Sequence, residues 1–209
     1  MEAARADQRR EAGLRTRARL LDAALDLISE RGEDGVTLRE LTDAAEANVA
    51  AASYHFGSLK LLCEAAIEHA LERYLDAQEE ALKTLGQEST LQELATAFAR
   101  PMMRALATGG RDLAVLRIVA RATIDPPQGW DRFDARFDGI RAAVLPVLKA
   151  HVPDVKDREL ILRTRCVAGM LNWLALAPVG AELRNRSEKQ LERLLVPVIA
   201  GAFRGTSFD

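Results

Sequence analysis

Residues 37–60, TLRELTDAAEANVAAASYHFGSLK, decide the fold of this chain. Thr37 followed three positions later by Glu40 is a capping box, so a helix starts there and runs to about Ala45. Leu38, Leu41 and Ala44/Ala45 form its inward side. A turn falls at Glu46-Ala47. A second short helix follows over roughly Asn48 to Phe56, dense in small residues (Ala50, Ala51, Ala52) and then polar at Ser53, Tyr54 and His55. A helix that lies against base-pair edges needs small side chains, so that its axis can come close. It also needs a few polar groups for bases and phosphates. That is the requirement met by a helix-turn-helix reader of DNA.

Upstream, from Gly13 to Arg31, apolar residues at Leu20, Leu21, Ala24, Leu25, Leu27 and Ile28 make one wide helical stripe, and Gly32 ends it. Residues 1–12 are charged and rich in alanine, and are expected to fray. Downstream, Gly57-Ser58 ends one helix and caps the next. That helix, from Leu59 to about Leu85, reads as a connector. Five further helical segments are expected at about 90–108, 111–124, 131–151, 156–179 and 187–204. Gly109-Gly110 and Pro126-Pro127 separate some of them. Pro101, Pro146 and Pro197 fall inside helical patterns, where kinks or earlier boundaries are expected. The reading is all-α: an N-terminal head, 1–58, and a larger helical body, 59–209, that begins with the connector 59–85.

Composition agrees with helix. Ala, Leu, Arg and Glu dominate and β-branched runs are almost absent. Hydrophobic content of 48% gives ample core for a soluble protein. The net charge of −2 is not that of a strongly basic nucleic-acid binder, but its distribution is uneven. Residues 5–19 hold Arg5, Arg9, Arg10, Arg15, Arg17 and Arg19 against Asp7 and Glu11, a local +4. Such an arm can supply phosphate contacts while the rest of the molecule stays acidic. Cys63 and Cys166 lack metal-ligand spacing and sit in apolar helical patterns, so buried free thiols are expected, with no metal site and no disulfide. The first apolar run starts only at Leu20, and Val167–Gly180 is shorter than the about 20 residues of a membrane span. A cytoplasmic protein without membrane contact is expected.

The residues then match a family. A first helix, a Thr-capped helix with Arg39, a turn, a small-residue helix ending Tyr54-His55-Phe56, and Gly57-Ser58 before a long helix together resemble the TetR family of bacterial transcriptional regulators. The segment from Asn48 to Ser58 is close to the family's N-x-A-A-x-x-Y-H-F-G-S variant, and the likeness covers about residues 14–65. It implies a three-helix DNA-binding head and a helical body for ligand binding and dimerisation. Two departures stand out. Glu46 and Ala47 occupy a turn where the family usually has Gly and an apolar residue, and a non-glycine there is strained if φ is positive. Leu59 stands where the family often has Lys, with Lys60 next along.

The candidate DNA contacts are Arg15, Arg17, Thr37, Arg39, Asn48, Val49, Ala51, Ser53, Tyr54, His55 and Lys60. Asn48 can bond a base or cap its helix. Val49 and the alanines can touch thymine methyls, while Ala52 and Phe56 are expected in the core. Tyr54 and Thr37 can reach phosphates, Thr37 while capping. His55 near a helix end is more commonly structural. Arg39 is the leading contact from outside the small helix. The resemblance further implies a homodimer on double-stranded DNA, with two heads reading a palindrome. The interface is expected from Ile161–Leu176 and Leu191–Phe203, where Ala168, Gly169, Ala175, Ala200, Gly201 and Ala202 allow close approach. A purely intramolecular core is the alternative use of those segments.

For a small, largely apolar effector the candidate lining is Met102, Met103, Leu106, Leu116, Val119, Phe133, Phe137, Met170 and Trp173, with Arg117, Arg121 and Asn172 as polar anchors. The body is similar to that of regulators answering fatty-acid-like effectors. No cofactor is expected. Enzyme chemistry finds no support: His55, His69 and His151 are scattered, and no zinc, nucleotide or nucleophile-elbow motif occurs. The remaining alternative is a helical adaptor, a degenerate family member without DNA binding.

Overall fold

The computed structural model describes residues 2–86, 88–127, 129–177 and 179–205, and every element among them is helical. Pro178 and the side chain of Arg5 lie outside what is described. In chain order the helices are α1 (Glu2–Arg31), α2 (Leu38–Ala44), α3 (Val49–Phe56), α4 (Leu59–Leu82) and α5 (Leu91–Thr108). They are followed by α6 (Gly110–Ile124), α7 (Asp131–His151), α8 (Asp157–Leu176), α9 (Val179–Leu183) and α10 (Glu188–Arg204). The chain divides into two compact units, Met1–Leu71 and Glu72–Asp209, with the division inside α4.

In the first unit α1, α2 and α3 pack on one another. The apolar stripe of α1 supplies Leu20, Ala24, Leu25 and Ile28, and α2 contributes Leu41, all essentially without solvent exposure. Each such leucine contributes about 1.5–3 kcal/mol by leaving water. The start of α1 differs from expectation. Residues 2–12 continue the helix instead of fraying, because Ala, Arg, Glu and Gln are strong helix formers and Glu11 pairs with Arg15 one turn on. None of residues 7–19 is buried.

In the second unit α5 and α10 lie along each other, with Phe98 and Phe203 edge to face at 5.8 Å. α6 packs on α5 and α8, and α7 on α5 and α8. Arg136 of α7 donates to Asp76 and Glu79 of α4, each at 2.8 Å. Arg163 of α8 donates to the carbonyls of Phe203 and Arg204, a cation at the C-terminal end of α10 where the helix dipole favours it.

The three prolines do not divide their helices, and the reason is local. A proline inside a helix leaves the carbonyl four residues earlier without its usual donor. For Pro101 that carbonyl is Ala97, buried, and the Nε2 of buried Gln78 reaches it at 3.5 Å. For Pro146 and Pro197 the carbonyls belong to Ala142 and Arg193, residues that face solvent. A short helix not anticipated from the sequence, α9, follows α8, so that α8 ends at Leu176.

Candidate DNA interface and body cavity

The turn between α2 and α3 is set by two capped helices. Thr37 accepts from the Glu40 amide at 3.3 Å and donates its hydroxyl and its own amide to the Glu40 carboxylate, at 2.7 and 3.0 Å. Those bonds from Thr37, joined by Arg31 at 2.8 Å, hold the Glu40 carboxyl below the usual range for a glutamate. A phosphate contact from Thr37 therefore requires its hydroxyl to leave Glu40. Asn48 is the N-cap of α3: its side-chain oxygen accepts from the Ala51 amide at 2.7 Å. The side-chain nitrogen takes no part in the cap.

Glu46 lies in the turn at φ 49°, a left-handed conformation that glycine adopts without penalty. Its carboxylate approaches Arg19 at 3.8 Å, but both side chains are solvated, so the pair contributes at most about 1 kcal/mol. Glu46→Gly is expected to stabilise the protein by up to about 1 kcal/mol, since relief of the strained φ outweighs glycine's extra freedom when unfolded. A rise in the urea midpoint with an unchanged slope is the result to look for. At the other end of α3, Gly57 has φ +81°, and a side chain there would be strained.

α3 has a buried and a bare side. Ala52 and Phe56 face the core, while Val49, Ala50, Ser53 and Tyr54 face solvent, Tyr54 at 85% exposure. Ala51 and His55 are half-buried at the margins. Ala50 belongs to the alanines expected to touch thymine methyls, though only Ala51 is among the named contacts. The place of Ala50 follows from helical spacing, opposite the buried pair. Arg15, Arg39 and Lys60 are exposed, and Lys60 lies 3.8 Å from Glu64. The guanidinium of Arg17 stacks over the Phe56 ring at 5.1 Å, which holds a cation beside the last turn of α3. The bare face thus offers methyl groups and hydroxyls, with the Arg17 guanidinium beside the last turn of the helix. That mixture can touch base edges and phosphates without charge-rich side chains keeping the helix axis away.

The second unit carries an exposed apolar stripe on each of two helices that pack together. On α8 the stripe is Leu162, Cys166, Gly169 and Trp173, and on α10 it is Leu194, Val198, Gly201 and Ala202. Ala175 and Ala200, of the small residues expected at an interface, are buried within the chain instead, and Ala168 is half-buried. Cys63 is buried as expected, and burial pushes its thiol up to about 11. Cys166 is exposed, because it lies on the outward side of α8.

Among the described residues, a cavity of about 190 Å³ opens between α4, α5 and α6. Ala77, Pro101, Ala105, Val115 and Leu116 form its apolar floor. Arg73, Arg104 and Asp112 carry its charges, and Tyr74 also lines it. Burial raises the Tyr74 phenol to about 12, so it stays neutral, and its hydroxyl donates to Gln78 at 3.3 Å. Of the residues expected around an effector, only Leu116 lines this cavity. Met102, Met103, Leu106, Val119 and Phe133 are buried in helix packing. Arg117, Arg121 and Met170 are half-buried, Phe137 stacks on Trp130 at 5.2 Å, and Trp173 is 59% exposed. The amide nitrogen of Asn172 donates to Thr123 at 2.8 Å, joining α8 to α6. Among the described residues no cluster of three metal-ligating groups forms, and no helix is long and apolar enough to cross a membrane.

Residues 20–66 match the family model described as bacterial regulatory proteins of the tetR family. Residues 96–202, half of the chain, match the tetracyclin repressor-like C-terminal domain. No curated protein matches the chain. Among solved structures it is similar to PfmR, a TetR-family transcriptional regulator from Thermus thermophilus, with TM-score 0.60 and 20% identity over 87% of this chain and 96% of that one. It is similar to AibR in complex with isovaleryl coenzyme A and operator DNA, with TM-score 0.64 and 18% identity over 92% of this chain and 100% of the other. A third is SCO3833 of Streptomyces coelicolor, a member of the same regulator family, with TM-score 0.59 and 23% identity over 89% and 91%. At such identities the likeness to solved structures establishes the fold.

Proposed function

The chain belongs to the TetR family of bacterial regulatory proteins, and from that premise we propose that it acts as a homodimeric repressor on a palindromic operator, released by a small effector held in the body. The observation that carries the DNA reading is the two-sided α3, anchored by Ala52 and Phe56 and bare along Val49, Ala50, Ser53 and Tyr54. Support for two copies comes from the uncovered stripes of α8 and α10, since a soluble monomer rarely leaves such apolar rows in water. Two-fold symmetry then sets two heads for half-sites about one helical turn apart, 34–36 Å. AibR, of the same fold, is seen with both operator DNA and isovaleryl coenzyme A, which supports a body that answers a ligand.

Selection from a random duplex pool tests DNA binding and symmetry together. Enrichment of an inverted repeat is expected, with affinity falling steeply as salt rises through loss of counterion release. A protein that shifts no duplex at any salt is an adaptor and not a regulator. Within the head, Arg39→Ala is expected to weaken operator binding and to lower the log–log salt slope by about one. Tyr54→Phe removes one hydroxyl and is expected to weaken binding by about tenfold if that hydroxyl reaches a phosphate. Helicity and oligomeric state stay the same in both variants, because both side chains are exposed. Unchanged affinity in both removes these two assignments.

A further inference from the structure

The charges of the body cavity converge on one point. Arg73 of α4 donates to one oxygen of Asp112 at 3.3 Å, and Arg104 of α5 approaches the other at 3.9 Å. The Thr108 hydroxyl lies 3.4 Å from that second oxygen, with its one proton closer to the Arg104 carbonyl at 2.9 Å. Two guanidiniums from different helices thus face a single carboxylate, Arg73 bonded to it and Arg104 near it, with an apolar floor beside it. The lining carries one surplus positive charge, and Tyr74 adds no negative one.

We propose that this cavity binds a small organic carboxylate, whose anionic group takes over Arg73 and Arg104 from Asp112 while its hydrocarbon part covers the floor. The inference rests on the reading of the body as an effector-binding unit, and names the effector's class. Size limits the choice: about 190 Å³ is below the about 300–1,000 Å³ of sites for drug-sized ligands. Charge limits it further. A cation meets two guanidiniums, whereas one monoanion brings the lining to neutrality and a dianion overshoots it. Asp112 itself occupies the place of a carboxylate between planar donors suited to that group. The exchange has a mechanical side. Arg73 sits on α4, a single helix from Leu59 to Leu82, so an incoming anion releases a tie between α4 and α6. Ligand and α4 position are then linked through a contact present in one state only, as a population shift requires.

The test is titration calorimetry on the full-length protein with butanoate, hexanoate, octanoate and benzoate, against hexanamide and hexylammonium. Saturable binding of at least one acid is expected, with the amide weaker by about tenfold or more, since it lacks the charge-assisted bonds. Arg104→Gln should lose a similar factor. That side chain is largely exposed, so the fold stays intact, as circular dichroism will show. Asp112→Asn, which weakens the internal competitor, should tighten acid binding. No saturable binding by any acid overturns the proposal, as does equal binding of acid and amide, or unchanged affinity in both variants. A parallel gel shift separates the two readings. Acid binding by a protein that never shifts DNA leaves this site standing and removes the regulator. DNA binding with no acid response removes this site alone.

Discussion

Leu162→Glu combined with Val198→Glu should leave a folded protomer that no longer holds its operator. Both side chains are more than half exposed in the protomer, at 58% and 55%, so neither charge enters its core and helicity should be kept, while the thermal midpoint falls by whatever subunit association contributed. In an assembly closed through α8 and α10, each copy would bring two carboxylates into an apolar contact, four in all, at a cost of several kcal/mol without partners. Sedimentation should report a monomer. Operator affinity should fall by about 10²–10⁴-fold, because the second head no longer binds as part of the same molecule. A double variant that remains dimeric, or that retains full affinity as a monomer, rules out this face as the interface.

Phe203→Ala should be the most destabilising single truncation in the body. The ring has no solvent exposure and meets Phe98 edge to face at 5.8 Å, where α5 and α10 run along each other. Loss of the ring removes its transfer energy, the aromatic contact and the packing around it, about 3–5 kcal/mol together. In urea this appears as a fall in midpoint of more than one molar for an ordinary slope. Phe203→Leu, which refills most of the space, should cost much less. If alanine and leucine variants unfold at the same midpoint, the cavity left by alanine has closed and the packing account fails.

The parts of the fold that rest on neighbours in sequence were legible. Thr37 and Glu40 cap each other three residues apart, Asn48 caps α3, and the stripe from Leu20 to Ile28 repeats with helical period, so the head could be read locally. Glu46 was recognisable as an unusual turn residue, though its positive φ needed coordinates. The cavity was not legible, for a physical reason. Arg73 and Asp112 lie 39 positions apart. Each alone has the pattern of a solvated surface charge, and only the packing of α4, α5 and α6 brings them together. Methionine and phenylalanine content pointed instead to Met102, Met103 and Phe133, which are core. Cys166 illustrates the opposite failure. Its neighbours Leu162 and Val167 suggested burial, but a helix that is apolar on two sides gives no sign of which side its own chain covers. The continuation of α1 through residues 2–12 was missed because it rests on helix propensity alone, with no apolar stripe to mark it.

That solvent-facing first part of α1 has a consequence for how the chain can change. No side chain among residues 7–19 is buried, and apart from half-buried Gly13 and Thr16 and from Arg17 on the Phe56 ring, little neighbouring volume restricts what stands there. Mutational drift in this segment is filtered by net charge and helix-forming tendency, and hardly by shape. General attraction to polyanions can therefore be tuned up or down over generations without disturbing the packed residues that begin at Leu20.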